Sequence, residues 1–190
     1  MKEKIYKRIE DICEFISGYT PSKELLLPSG SIPYFKVADM NTIGNELYLV
    51  KTSYYLNNPK KIIPKGSIVF PKNGGAIFTN KKRILYQDSV VDLNTEALYP
   101  NEKVVLIKYL YWLLSSVDLG QFDNGGGLPS LNIKRMKEYK VLVPSLSEQL
   151  IIVNKLDALS EKVNQLQENY KQTFVLCSDL KQALLKQTFE

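Results

Sequence analysis

From Ser147 to the end of the chain there is no proline and no glycine, and apolar side chains return at alternating steps of four and three. Ile152, Leu156, Leu159, Val163, Leu166, Tyr170, Cys177, Leu180 and Leu184 keep this rhythm, and only Thr173 interrupts it. A 3.5-residue repeat lays such side chains along one narrow seam of an α-helix, the pattern of a coiled coil. A helix packed on its own domain carries a wider apolar stripe. At 1.5 Å per residue the segment would run about 60 Å, longer than a domain of ~30 Å can cover. The seam therefore predicts pairing with a second helix through Leu156, Leu159, Val163, Leu166, Tyr170 and Leu180. Its start is marked by Ser145-Leu146-Ser147-Glu148, a capping box in which hydroxyl and carboxylate satisfy each other's backbone amides.

The preceding residues read differently, and the chain divides into a domain at 1–146 and a helix at 147–190. The fold class is α+β: a mixed domain followed by one long C-terminal coiled-coil helix. Short β-rich runs at 32–37, 67–70, 83–86 and 89–93 are separated by turn chemistry such as Pro64-Lys65-Gly66 and Asn73-Gly74-Gly75. Apolar residues from Val104 to Val117 recur at helical spacing, with Gly120 as a stop. A glycine run at 125–127, a short helix at 133–138 and a strand at 139–143 close the domain at Pro144.

Composition removes several classes of chemistry. There is no histidine, which excludes histidine triads, histidine bases and Cys/His zinc sites. No apolar run is long enough to cross a bilayer. Met1-Lys2-Glu3-Lys4 lacks the apolar core of a signal peptide, so a cytoplasmic protein with reduced cysteines is expected. Residues 1–146 hold 20 Lys and Arg against 14 Asp and Glu, whereas residues 147–190 hold 5 against 6. The positive charge thus belongs to the domain, as expected if the domain meets phosphates.

No catalytic constellation is complete. Asn58-Pro59-Lys60-Lys61 lacks the second proline and aromatic of an adenine methyltransferase loop. Glu138-Tyr139-Lys140 offers part of a nuclease motif but no Pro-Asp pair accompanies it. Neither glycine run is followed by the Lys-Ser/Thr of a phosphate-binding P-loop. No cofactor and no metal are expected. The glycine loops make better sense as DNA-facing segments, where backbone can approach a base edge closely. Candidate DNA-contacting residues are Lys72, Asn73 and Gly74 in one loop, Lys81, Lys82 and Arg83 after it, and Asn124 in the other. Ser17 and Thr20 in an early turn segment, and Tyr34 at a base, complete the set, with Tyr19 also considered at a base because it too lies beside turn residues. The alternative is a homodimeric coiled-coil scaffold whose basic domain binds RNA or an acidic protein.

Several strings, in order, resemble the specificity subunit of Type I restriction-modification systems. Ile16-Ser17-Gly18-Tyr19-Thr20-Pro21-Ser22 is similar to the family's opening "SGxTPS" segment. Ile32-Pro33-Tyr34-Phe35-Lys36-Val37-Ala38-Asp39-Met40 resembles the next block. Lys65-Gly66-Ser67-Ile68-Val69-Phe70 resembles "GDILF", with Ser67 in place of the acid. Val141-Leu142-Val143-Pro144-Ser145-Leu146-Ser147-Glu148-Gln149 resembles the "PLPPLxEQ" junction. The resemblance implies a non-catalytic subunit that recognises double-stranded DNA at a bipartite target. It implies partners as well: methyltransferase subunits, which bind S-adenosylmethionine, and through them restriction subunits. Complete members carry two recognition domains and two antiparallel helices. One of each here resembles a half subunit, either natural or a piece of a longer chain, and a homodimer through the helices is expected.

Overall fold

Pairing in the domain starts from its apolar runs, because β-branched and aromatic side chains fit a half-buried pleated surface. A computed structural model describes residues 5–189. Residues 1–4, read above for the absence of a signal peptide, lie outside them, as does Glu190. The described residues form two compact units, 5–150 and 151–189.

In the first unit the strands are β1 (Tyr6–Arg8), β2 (Cys13–Ser17), β3 (Ile32–Phe35), β4 (Tyr48–Leu49), β5 (Tyr55–Leu56), β6 (Ile68–Pro71), β7 (Arg83–Leu85), β8 (Val90–Val91), β9 (Thr95–Pro100) and β10 (Lys140–Leu142). Helices α1 (Ile107–Ser115) and α2 (Ile133–Glu138) lie between β9 and β10. A five-stranded sheet runs in the order β2-β9-β6-β7-β4, a three-stranded one in the order β5-β3-β8, and β1 pairs with β10. In the large sheet only β4 and β7 are parallel. Its interior is apolar: Ile68, Val69, Phe70, Ala97 and Leu98 are fully buried.

The antiparallel β1–β10 pair matches Tyr6 with Leu142 and Arg8 with Lys140, bringing the two ends of the domain together. The chain then enters α3 (Leu146–Phe189) through the expected capping box. The Ser145 amide donates to Glu148 Oε2 at 3.1 Å, and the Glu148 amide to Ser145 Oγ at 3.4 Å. Gln149 is fully buried. Its Nε2 donates to the carbonyls of Val104 and Pro144, both at 2.9 Å, and its Oε1 accepts from the Leu106 amide at 2.9 Å. Helix α1 starts at Ile107 and not at Val104, because Leu106 is extended, with ψ near 142°. The Leu106 amide is taken by Gln149, and Val104 and Val105 turn about the Asn101 carbonyl.

The second unit is the rest of α3. Leu159, Val163, Leu166, Tyr170 and Leu180 are exposed on it and Leu156 is half-buried. Thr173 interrupts the seam within an unbroken helix, its hydroxyl donating to the Asn169 carbonyl one turn back at 2.8 Å. Cys13 is buried and Cys177 exposed, and both are free thiols. Among the described residues no helix is long and apolar enough to cross a membrane.

Candidate nucleic-acid interface

Strand register decides which loops meet. Ser17, the last residue of β2, pairs with Glu96 at the start of β9. Phe70 and Pro71, ending β6, pair with Glu96 and Thr95. Arg83 opens β7 opposite Val69, and β4 enters in parallel beside it. One end of the sheet therefore collects the segment after Ser17, the loop at 72–82, the turn at 92–95 and the approach to β4.

Backbone bonds tie these segments into one surface. The Gly18 amide donates to the Thr95 carbonyl at 3.1 Å, and the Lys72 amide to the Asn94 carbonyl at 2.8 Å. A β-carbon on Gly18 would stand 2.1 Å from the Asp92 carbonyl oxygen, so this close crossing requires glycine. The loop at 123–131 joins through Gly74, whose amide donates to the Pro129 carbonyl at 2.8 Å, and through the Leu131 amide, which donates to the Lys72 carbonyl at 2.9 Å.

A polar cluster sits in the middle of this surface. The Ser17 hydroxyl donates to Glu96 Oε2 at 2.7 Å, and Lys72 Nζ donates to the same oxygen at 3.0 Å. Asn73 Nδ2 donates to Asn94 Oδ1 at 3.3 Å, and Asn124 Nδ2 to Ser130 Oγ at 3.1 Å. Exposed Lys61 donates to the Ser17 carbonyl at 3.0 Å, adding a second cation beside Lys72. Ser17, Lys72, Asn73, Gly74 and Asn124 are thus brought together. Asp92, Asn94, Glu96, Ser130 and Lys61 organise the group without having been candidates. Glu96 left one clue: an acid inside the apolar run of β9, which buried strands carry only when the charge is paired.

The basic run after the glycine loop divides. Lys81 is half-buried and donates to Asn41 Oδ1. Lys82 corrects the expectation of a phosphate contact. It is 3% exposed, and its ammonium donates to Asn80 Oδ1 at 2.6 Å and the Val117 carbonyl at 2.7 Å. Burial pushes its pKa down to about 8. Arg83 also turns inward, donating to the carbonyls of Lys82 and Met40, both at 2.8 Å, and burial lowers its pKa. Tyr34 is a second correction. It is 1% exposed and packed with Leu56 and Val90, so its ring has no open face for a base. Thr20 itself is exposed and lines a cleft with Tyr19, Pro21, Leu25, Leu56 and Lys60. Among the described residues no group of three His, Cys, Asp or Glu side chains could hold a metal ion.

This arrangement offers hydrogen-bonding amides and cations on tied loops, the equipment for contacting base edges and phosphates. Residues 1–173 match the family model described as the Type I restriction modification DNA specificity domain. The Escherichia coli Type I restriction enzyme EcoR124I/EcoR124II specificity subunit is 26% identical over 173 residues, covering 86% of this chain and 42% of the relative. A structure solved to explain complex assembly and conformational transition of the type I R-M system superposes with a TM-score of 0.83 at 18% identity, covering 98% of this chain and 45% of that one. The HsdS subunit from Thermoanaerobacter tengcongensis gives 0.69 at 17% identity, covering 88% and 40%. The Type-I S subunit from M. genitalium gives 0.60 at 18%, covering 87% and 41%. The chain thus spans less than half the length of the relatives it matches. The fold and the family model agree with the ordered motifs, and the chain belongs to the Type I restriction-modification DNA specificity family.

Proposed function

We propose that this chain recognises a short duplex DNA sequence and directs methyltransferase and restriction subunits to it, without performing chemistry itself. The observation that carries the reading is the convergence of Lys72, Asn73 and Asn124, with Lys61, on one end of the large sheet. Lysines fix register on phosphates, and asparagines pair with adenine edges in the major groove. The exposed seam of α3 supports a second part of the proposal. Two copies pair through antiparallel helices and present two identical recognition domains about a twofold axis. The target is then a split palindrome with an unread spacer.

The test is a methylation map. The chain is expressed with its methyltransferase in a host lacking other modification, and modified sites are sequenced. A palindromic bipartite target is the expected result. An asymmetric target would reject the two-copy arrangement, and modification independent of this chain would reject its role in recognition.

A further inference from the structure

The loop at 124–129 presents a large apolar side chain with little support around it. Leu128 is 76% exposed, next to three consecutive glycines. A β-carbon built on Gly125 or Gly127 meets nothing within 4 Å, so the loop head stands in open space. Phe78 is exposed too, but its ring lies against Gly120, 3.3 Å from where a β-carbon would stand.

The base of the loop, by contrast, is tied. Asp123 and Leu131 form an antiparallel bridge, the Asn124 amide donates to the Ser130 carbonyl at 2.9 Å, and the Ser130 amide to Asp123 Oδ1 at 2.9 Å. Gly125 makes the turn with φ near +72°, a region open to glycine. Pro129 fixes its own φ and holds Leu128 extended. Pro129 is itself bonded to Gly74, which places the loop head beside Asn73.

We infer that Leu128 is a specificity-determining residue that packs on the C5-methyl of a thymine, while Asn124 or Asn73 reads the adenine paired with it. The inference rests on the DNA-recognition reading above. In the major groove an A·T pair shows an adenine edge suited to a side-chain amide and, beside it, the thymine methyl, the apolar group that a base pair offers there. Each asparagine amide carries two N–H hydrogens, and the bond to Asn94 or Ser130 engages one of them. Covering the methyl with Leu128 also removes the exposed leucine from water.

The test uses the full chain with its methyltransferase subunits and a duplex carrying the mapped target. Each thymine in turn is replaced by deoxyuridine, which deletes only the methyl. One replacement is expected to weaken binding by the wild type about fourfold, the equilibrium factor for one buried methyl group. The Leu128→Ala protein should bind the thymine and deoxyuridine duplexes alike. Wild-type indifference to every replacement, or a target with no A·T pair, overturns the inference while leaving DNA recognition standing. So does a Leu128→Ala loss that is equal on both duplexes, which would mark a wedge between base steps. Failure of the wild-type complex to prefer its target over scrambled duplex overturns both readings.

Discussion

Lys72 donates to Glu96 at 3.0 Å, and the carboxylate that receives it is only 2% exposed. The ammonium of this candidate DNA-contacting lysine is therefore also the counter-charge of a buried acid. Lys72→Ala would leave Glu96 with the Ser17 hydroxyl and no cation, costing about 1–3 kcal/mol of stability for an under-satisfied buried acceptor. Urea denaturation should show that loss. Lys81→Ala, at a half-buried position without a buried acid, should stay within about 0.5 kcal/mol of wild type. If it meets a phosphate, it should weaken all duplexes alike and reduce the salt slope by about one.

Asn73→Ala and Asn124→Ala are expected to lose discrimination between the cognate and altered targets by about 1–3 kcal/mol, the worth of a bidentate base contact. Binding should be measured with the methyltransferase present. If both variants keep full selectivity, the reading surface lies on the Ser17–Thr20 side of the sheet end.

Lys82 should act on stability and not on DNA affinity. Its folded pKa of about 8 lies below its ordinary value of 10.5. The unfolded chain therefore holds the proton more tightly, and between about pH 8 and 10.5 this residue makes stability rise with pH. Below about pH 8 the folded protein carries the full penalty of the buried charge. Comparing denaturation of wild type and Lys82→Met across that window isolates the effect, and the variant should lack that rise. An unchanged pH dependence would place the charge in solvent.

Gln149→Ala removes three hydrogen bonds and leaves the Leu106 amide and the Val104 and Pro144 carbonyls without this partner. A loss of about 1–3 kcal/mol per buried group left unpaired sets the scale. Gln149→Glu should not rescue it, because a carboxylate would face the two carbonyls. Chemical denaturation of both variants checks this.

For the helix, Leu159→Asp with Leu166→Asp should convert a dimer into a monomer in analytical ultracentrifugation. A charge placed on each side of a buried seam costs far more than on an exposed surface. A dimer that survives both substitutions would mean that another face pairs.

Local chemistry alone made much of this chain legible. The 4-3 rhythm after Ser147 gave the long helix, and Ser145 with Glu148 gave its start, since helix spacing and caps depend on residues a few positions apart. Residues 133–138 were read as a helix for the same reason, and the strands around residues 32, 68 and 83 from their apolar runs between turns. Strand β9 was missed, and with it the importance of Glu96, because its place in the middle of the sheet comes from pairing with β2 and β6 far away in sequence. The candidate site divides along the same line. Residue type was enough to nominate Lys72, Asn73, Gly74 and Asn124. Only long-range register could bring their loops together, turn Lys82 and Arg83 toward backbone carbonyls and bury Tyr34. A lysine's sequence neighbourhood is similar on either side of a strand, whereas its access to DNA depends on which side the completed sheet leaves open to water.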